Sequence, residues 1–175
     1  MNKISTKVFL TLFILGGIMF LGALSTRAMV GNELFEFGSL DLKQNLDPAY
    51  ERELYRLISY ATLLVMGGYA AALIGAIGFT VTTTVSWKKH GWLIMCAVLF
   101  FIFVPVELWS LRLDWKMIGL NFWGNWPLDE FRKAHLRRLT ALSGLPVIAN
   151  LVYYTIIIIA VWRPFEHGSA KNEAE

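Results

Sequence analysis

Two ionisable residues stand out by the company they keep. Glu107 is the one ionisable residue in the apolar run from Trp92 to Leu111, and a carboxylate at membrane depth is costly enough to mark a functional site by default. His135 lies among Leu128, Phe131, Leu139 and Leu142, whose spacings of 3, 4, 4 and 3 put all five on one helical face. An acid and an imidazole within ~3 Å, or one water apart, can work as general acid and base. Each also has a structural reading. Glu107 can reach the headgroups or pair with Arg112 or Arg138, and His135 can simply pack.

The other candidates are weaker. Asn150, one turn before Tyr153 and Tyr154, suits an interhelical hydrogen bond or the wall of a ligand cavity. Arg112, Arg138, Trp123 and Trp126 are candidate ligand or interface residues, and Trp109 and Trp115 would join the two tryptophans in an interfacial pocket. Gly67, Ala71 and Gly75 recur every four residues beside a parallel row of Gly68, Ala72 and Ala76, the spacing that lets two helices approach closely. No HxxxH, HExxH or CxxC occurs, so a closed metal site has no support and no cofactor is implied. Ser143 has no GxSxG context, and Cys96 reads as a small packing residue.

The elements that must position these residues follow from composition. Of 175 residues 56% are hydrophobic and 17% charged, with a net charge of +3 and one cysteine. Those values exclude a water-soluble enzyme, a disulfide scaffold, a disordered chain and a nucleic-acid footprint. The apolar residues gather in four blocks, 8–24, 58–84, 92–111 and 142–162. Each can span a ~30 Å hydrocarbon core as a helix. The first follows a basic MNKISTK and could be a secretory signal, but its length favours a retained anchor. The fold class is therefore all-α: an integral membrane four-helix bundle in a single domain, with two long loops on one face, including an amphipathic interfacial helix. Residues 163–175 form a short flexible tail.

Spans two and three are joined by the short VSWKKHG, so both long loops share one side and both termini the other. Trp87, Trp92 and Trp162 mark one interface, and Trp109, Trp115, Trp123 and Trp126 the other. Lys3 and Lys7 before the first span favour cytoplasmic termini, although the long-loop side carries more positive charge in total. In the first long loop Asp47-Pro48 should start a helix running into span two, preceded by a strand-like or irregular stretch at 34–46. In the second, a Trp-rich segment suits the headgroup region, and Pro127 should open a helix carrying His135 inward and Arg132, Lys133, Arg137 and Arg138 on other faces. The first loop, residues 25–57, has net charge −2 and the second, 112–141, has +3, so the two should dock as a cap.

Three functions fit. The first is a small non-catalytic accessory or assembly subunit of a membrane protein complex, in a bacterial plasma (inner) membrane, with the lipid bilayer, membrane proteins or further copies of itself as partners and no nucleic acid. The second is a membrane-embedded enzyme or redox-linked protein acting on a lipophilic substrate such as a quinone, with Glu107 and His135 as acid and base. The third is an oligomeric transporter or channel using Glu107 as an ion-coupled carboxylate.

Overall fold

The computed structural model describes residues 4–36, 39, 41–87, 90–124 and 127–164. Among these the chain forms α1 (Ile4–Asn32), α2 (Pro48–Thr82), α3 (Gly91–Ile102), α4 (Val104–Trp123), α5 (Leu128–Thr140) and α6 (Leu145–Trp162). Pro105 in the first turn of α4 explains the break after α3, since proline offers no N–H and crowds the carbonyl four residues back. A 3-10 turn, Ala141–Gly144, separates α5 from α6, with Leu142, Ser143 and Gly144 at φ 55°, 51° and 87°. The six helices thus make four long segments, Ile4–Asn32, Pro48–Thr82, Gly91–Trp123 and Leu128–Trp162, each long and apolar enough to cross a bilayer. This is the architecture of a multi-pass membrane protein. Exposed Ile14, Leu15, Ile18, Leu151, Ile157 and Ile158 supply the lipid-compatible exterior that such a bundle requires.

The helices outrun the apolar blocks. α1 continues past Leu24 to Asn32, and α2 starts at Pro48 as expected, so the first connection shrinks to residues 33–47. Among its described residues Phe35 and Leu42 form an antiparallel bridge. Residues 112–123, expected along the headgroups, instead extend α4.

α1 and α2 form an antiparallel hairpin held by near contact of their backbones. A Cβ on Gly16 would lie 2.4 Å from Ala72 N, one on Gly68 2.6 Å from Phe20 N, and one on Gly75 2.4 Å from Phe13 N. Small residues there are a steric necessity. At its far end Thr6 Oγ1 donates to the Thr82 carbonyl at 2.9 Å. The expected row divides. Gly75 packs on α1, whereas Gly67 is exposed and would bring its Cβ no closer than 3.6 Å to Met19. The buried row is Gly68, Ala72 and Ala76, because their side of α2 is the one turned toward α1.

Two apolar cores are stacked along the bundle. The larger joins Phe20, Tyr69, Phe100, Tyr153 and Ile156, with Phe20 ring centroids 5.2 Å from Tyr69 and 5.5 Å from Tyr153. The smaller, in the cap, joins Leu34, Tyr55, Ile58, Met117 and Phe131.

Candidate functional site

Between the two cores, in chain order on every long segment, lies a layer of polar side chains. α1 contributes Arg27 after Leu24, and α4 contributes Glu107, Ser110 and Asp114 before Met117. α5 contributes His135 and Arg138 after Phe131, and α2 contributes Ser59 and Thr62 after Ile58. Ser59 and Thr62 satisfy themselves by donating to carbonyls four residues back, at 2.9 and 2.7 Å.

Asp114 is the centre of this layer and is 0% exposed. Arg27 Nη1 donates to its Oδ2 at 2.8 Å and Arg138 Nε donates to its Oδ1 at 3.0 Å, so one carboxylate ties α1, α4 and α5 together. A guanidinium suits this role because it is always charged and its flat fork matches a carboxylate. Glu107, 2% exposed, sits in the first turn of α4, where the helix dipole favours an acid. It interacts electrostatically with Arg138, Arg27 and Asp114. A second pair closes the cap over α2: Arg132 Nε and Nη2 donate to Glu51 Oε1 and Oε2 at 2.6 and 2.5 Å.

Beside this layer opens a recess of about 780 Å³. Arg27 and Gly31 of α1, Met117 of α4, His135 and Arg138 of α5, and Asn150 of α6 are on its wall. His135 is 5% exposed, and among the described residues neither ring nitrogen has a hydrogen-bond partner. Its ring lies 5.9 Å from Phe35 and 6.0 Å from Tyr55, centroid to centroid.

The structure therefore brings His135, Arg138 and Asn150 together at one recess, with Glu107 buried nearby and not on its wall. Glu107 and His135 are not hydrogen-bonded to each other, since both His135 nitrogens lack partners. Arg112 is exposed, its guanidinium 5.8 Å from the Trp109 ring centroid. Trp123 is 70% exposed and rests on Trp115 at 5.6 Å. Trp109, Trp115 and Trp123 face outward and line no pocket with His135, while Trp126 lies outside the described residues.

Arg138 corrects the helical wheel. Three residues after His135, it shares the buried face of α5 because Asp114 compensates its charge, whereas Leu139 on the expected face is 40% exposed. The two loops do meet through opposite charges: Glu51 takes Arg132, rather than the Arg137 and Arg138 that the charge of the second loop also offers, and Glu53 takes Arg56 within α2. Arg27, Asp114 and Arg132 were not singled out from sequence as site residues. Asp114 had left a trace: Glu107, Ser110, Asp114 and Met117 step by 3, 4 and 3, one helical face that runs on past the end of the apolar block.

Among the described residues no group of three or more His, Cys, Asp or Glu is placed to hold a metal ion. Fold and site together define a four-segment helical protein with a buried charged layer under a folded cap. No known family matches this sequence, and no curated protein or solved structure is significantly similar to it.

Proposed function

We propose that the protein is a non-catalytic accessory or assembly subunit of a membrane protein complex, seated in a bacterial plasma membrane with both termini in the cytoplasm. The observation that supports this reading is how the charged side chains are used. Arg27, Asp114 and Arg138 bind helix to helix, as do Glu51 and Arg132. Buried ionic groups of this kind are best attested as devices that fix register and partner. The outward face of α4, with Leu108, Trp109, Arg112, Trp115 and Trp123, offers aromatic and cationic surface at the cap end for a neighbouring subunit. Aromatic and arginine side chains are the types enriched at protein interfaces. Lys3 and Lys7 ahead of the first span support the orientation.

Purification of the tagged chain from its host in a mild detergent, followed by mass spectrometry, tests the proposal. Stoichiometric protein partners are expected. A chain that elutes alone or only with copies of itself overturns it.

A second reading, a redox-linked protein or enzyme acting on a lipophilic substrate such as a quinone, is favoured by one observation: His135 borders the recess, and neither of its solvent-covered nitrogens has a partner among the described residues. Glu107, close to Arg27 and Arg138, would be the proton store and His135 the group facing substrate. Co-purified quinone whose retention depends on His135 supports this reading over the first. The transporter or channel reading gains least, because Phe20, Tyr69, Phe100 and Tyr153 fill the middle of the bundle.

A further inference from the structure

We propose that the recess beside the Arg27–Asp114–Arg138 layer is a binding site for an amphipathic anion, whose phosphate or carboxylate oxygens sit against the two arginines, beside His135, and whose apolar chain leaves between α1 and α6.

The charge argument comes first. Two guanidiniums share one carboxylate, Arg27 spending Nη1 and Arg138 spending Nε. The other N–H groups of both make no hydrogen bond among the described residues, and both side chains line the recess. Glu107 acts on both arginines without a direct ion pair to either. The layer thus holds two carboxylates for two guanidiniums, but only Asp114 touches them, which leaves forked donors whose geometry suits phosphate or carboxylate oxygens. The acids at the recess, Glu33 and Glu36, are exposed at its rim, and Glu33 lies 3.8 Å from Lys43 Nζ. The inner wall is the cationic part.

His135 is the independent observation. A side chain this buried usually has its polar atoms paired, yet neither nitrogen of this ring has a partner among the described residues; both are covered from solvent, and the ring borders the recess. Asn150 adds an amide on the opposite wall.

The shape argues for a lipid-like molecule. Leu24 of α1 and Pro146 and Val147 of α6 continue the wall from the polar end, and Val147 is 63% exposed. Ser25 and Tyr154 bridge α1 and α6 through their hydroxyls at 3.3 Å. Basic pockets between membrane helices are a known means of holding anionic headgroups. The site does not depend on whether the chain has protein partners.

The full chain, delipidated in a neutral maltoside detergent, is titrated with phosphatidylglycerol. Diacylglycerol of the same chains, decylubiquinone and inorganic phosphate form parallel arms, read by native mass spectrometry and thermal shift. Phosphatidylglycerol should bind at least ~10-fold more tightly than diacylglycerol. Gly31→Leu tests the place: Gly31 is on the recess wall, an added Cβ there meets only His135, at 3.8 Å, and the residue takes no part in the ion pairs. It should weaken phosphatidylglycerol by ~10-fold or more without lowering the lipid-free melting temperature. Val147→Trp, an exposed position at the mouth, should do the same. Inorganic phosphate displacing the lipid at equal affinity supports the oxyanion site and assigns it to a soluble anion. Equal binding of diacylglycerol, tighter binding of decylubiquinone, or undiminished phosphatidylglycerol binding by both variants overturns the proposal. The quinone result would also strengthen the redox-linked reading, so the two failures are distinguishable.

Discussion

At the scale of single residues, the cost of a substitution should follow which charge it strands. Asp114→Asn leaves Arg27 and Arg138 buried without their shared carboxylate, and we expect a loss of about 3–5 kcal/mol, read from unfolding in a denaturing detergent titration. The Glu51–Arg132 pair is asymmetric. Arg132 keeps 40% of its side chain exposed, whereas Glu51 keeps 3%. Arg132→Gln, which strands a buried carboxylate, should therefore cost more than Glu51→Gln, which leaves a guanidinium free to find water. The opposite ranking in the same titration would mean that the cap is not closed by this pair.

At the scale of elements, the α1–α2 hairpin is governed by where a side chain has room. Gly68→Val forces a Cβ into the Phe20 backbone, and Gly75→Val does the same at Phe13. Each should cost at least ~1–3 kcal/mol, because backbone on both sides cannot yield as a side-chain tip can. Gly67→Ala, one residue away, meets only Met19 Cε at 3.6 Å and should stabilise by up to ~1 kcal/mol through helix propensity. Thermal melts of the three variants in one detergent decide the matter. A melt that falls equally for Gly67→Ala and Gly68→Val would place the hairpin in a different register.

At the scale of the whole molecule, two stacked cores divide the chain into a spanning bundle and a cap, with the charged layer between them. The division predicts which surfaces water reaches. In a Cys96→Ala background, Ser39→Cys lies on the cap and Thr84→Cys just beyond the opposite end of α2. A membrane-impermeant thiol reagent should label Ser39→Cys in intact cells and Thr84→Cys only after lysis. Reversed labelling overturns the proposed orientation, and labelling of both from one side overturns the four-segment topology.

The sequence alone determined the helical class, the four apolar segments, and the starts marked by Pro48 and Pro127. It also carried the complementary charge of the two long connections. These are local properties: hydropathy summed over one turn after another, and proline's fixed φ and missing N–H. It also pointed at His135, Arg138 and Asn150, which meet at one recess. Only the tertiary structure decided that Arg138 turns inward, that Arg27 and Asp114 are its companions, and that Gly68 packs where Gly67 does not. The physical reason is that a charge ends an apolar run in sequence without ending the helix. Whether it then faces water or a partner depends on how several helices are rotated against one another. Arg27 and Asp114 are 87 residues apart, and no period within either segment encodes that they meet.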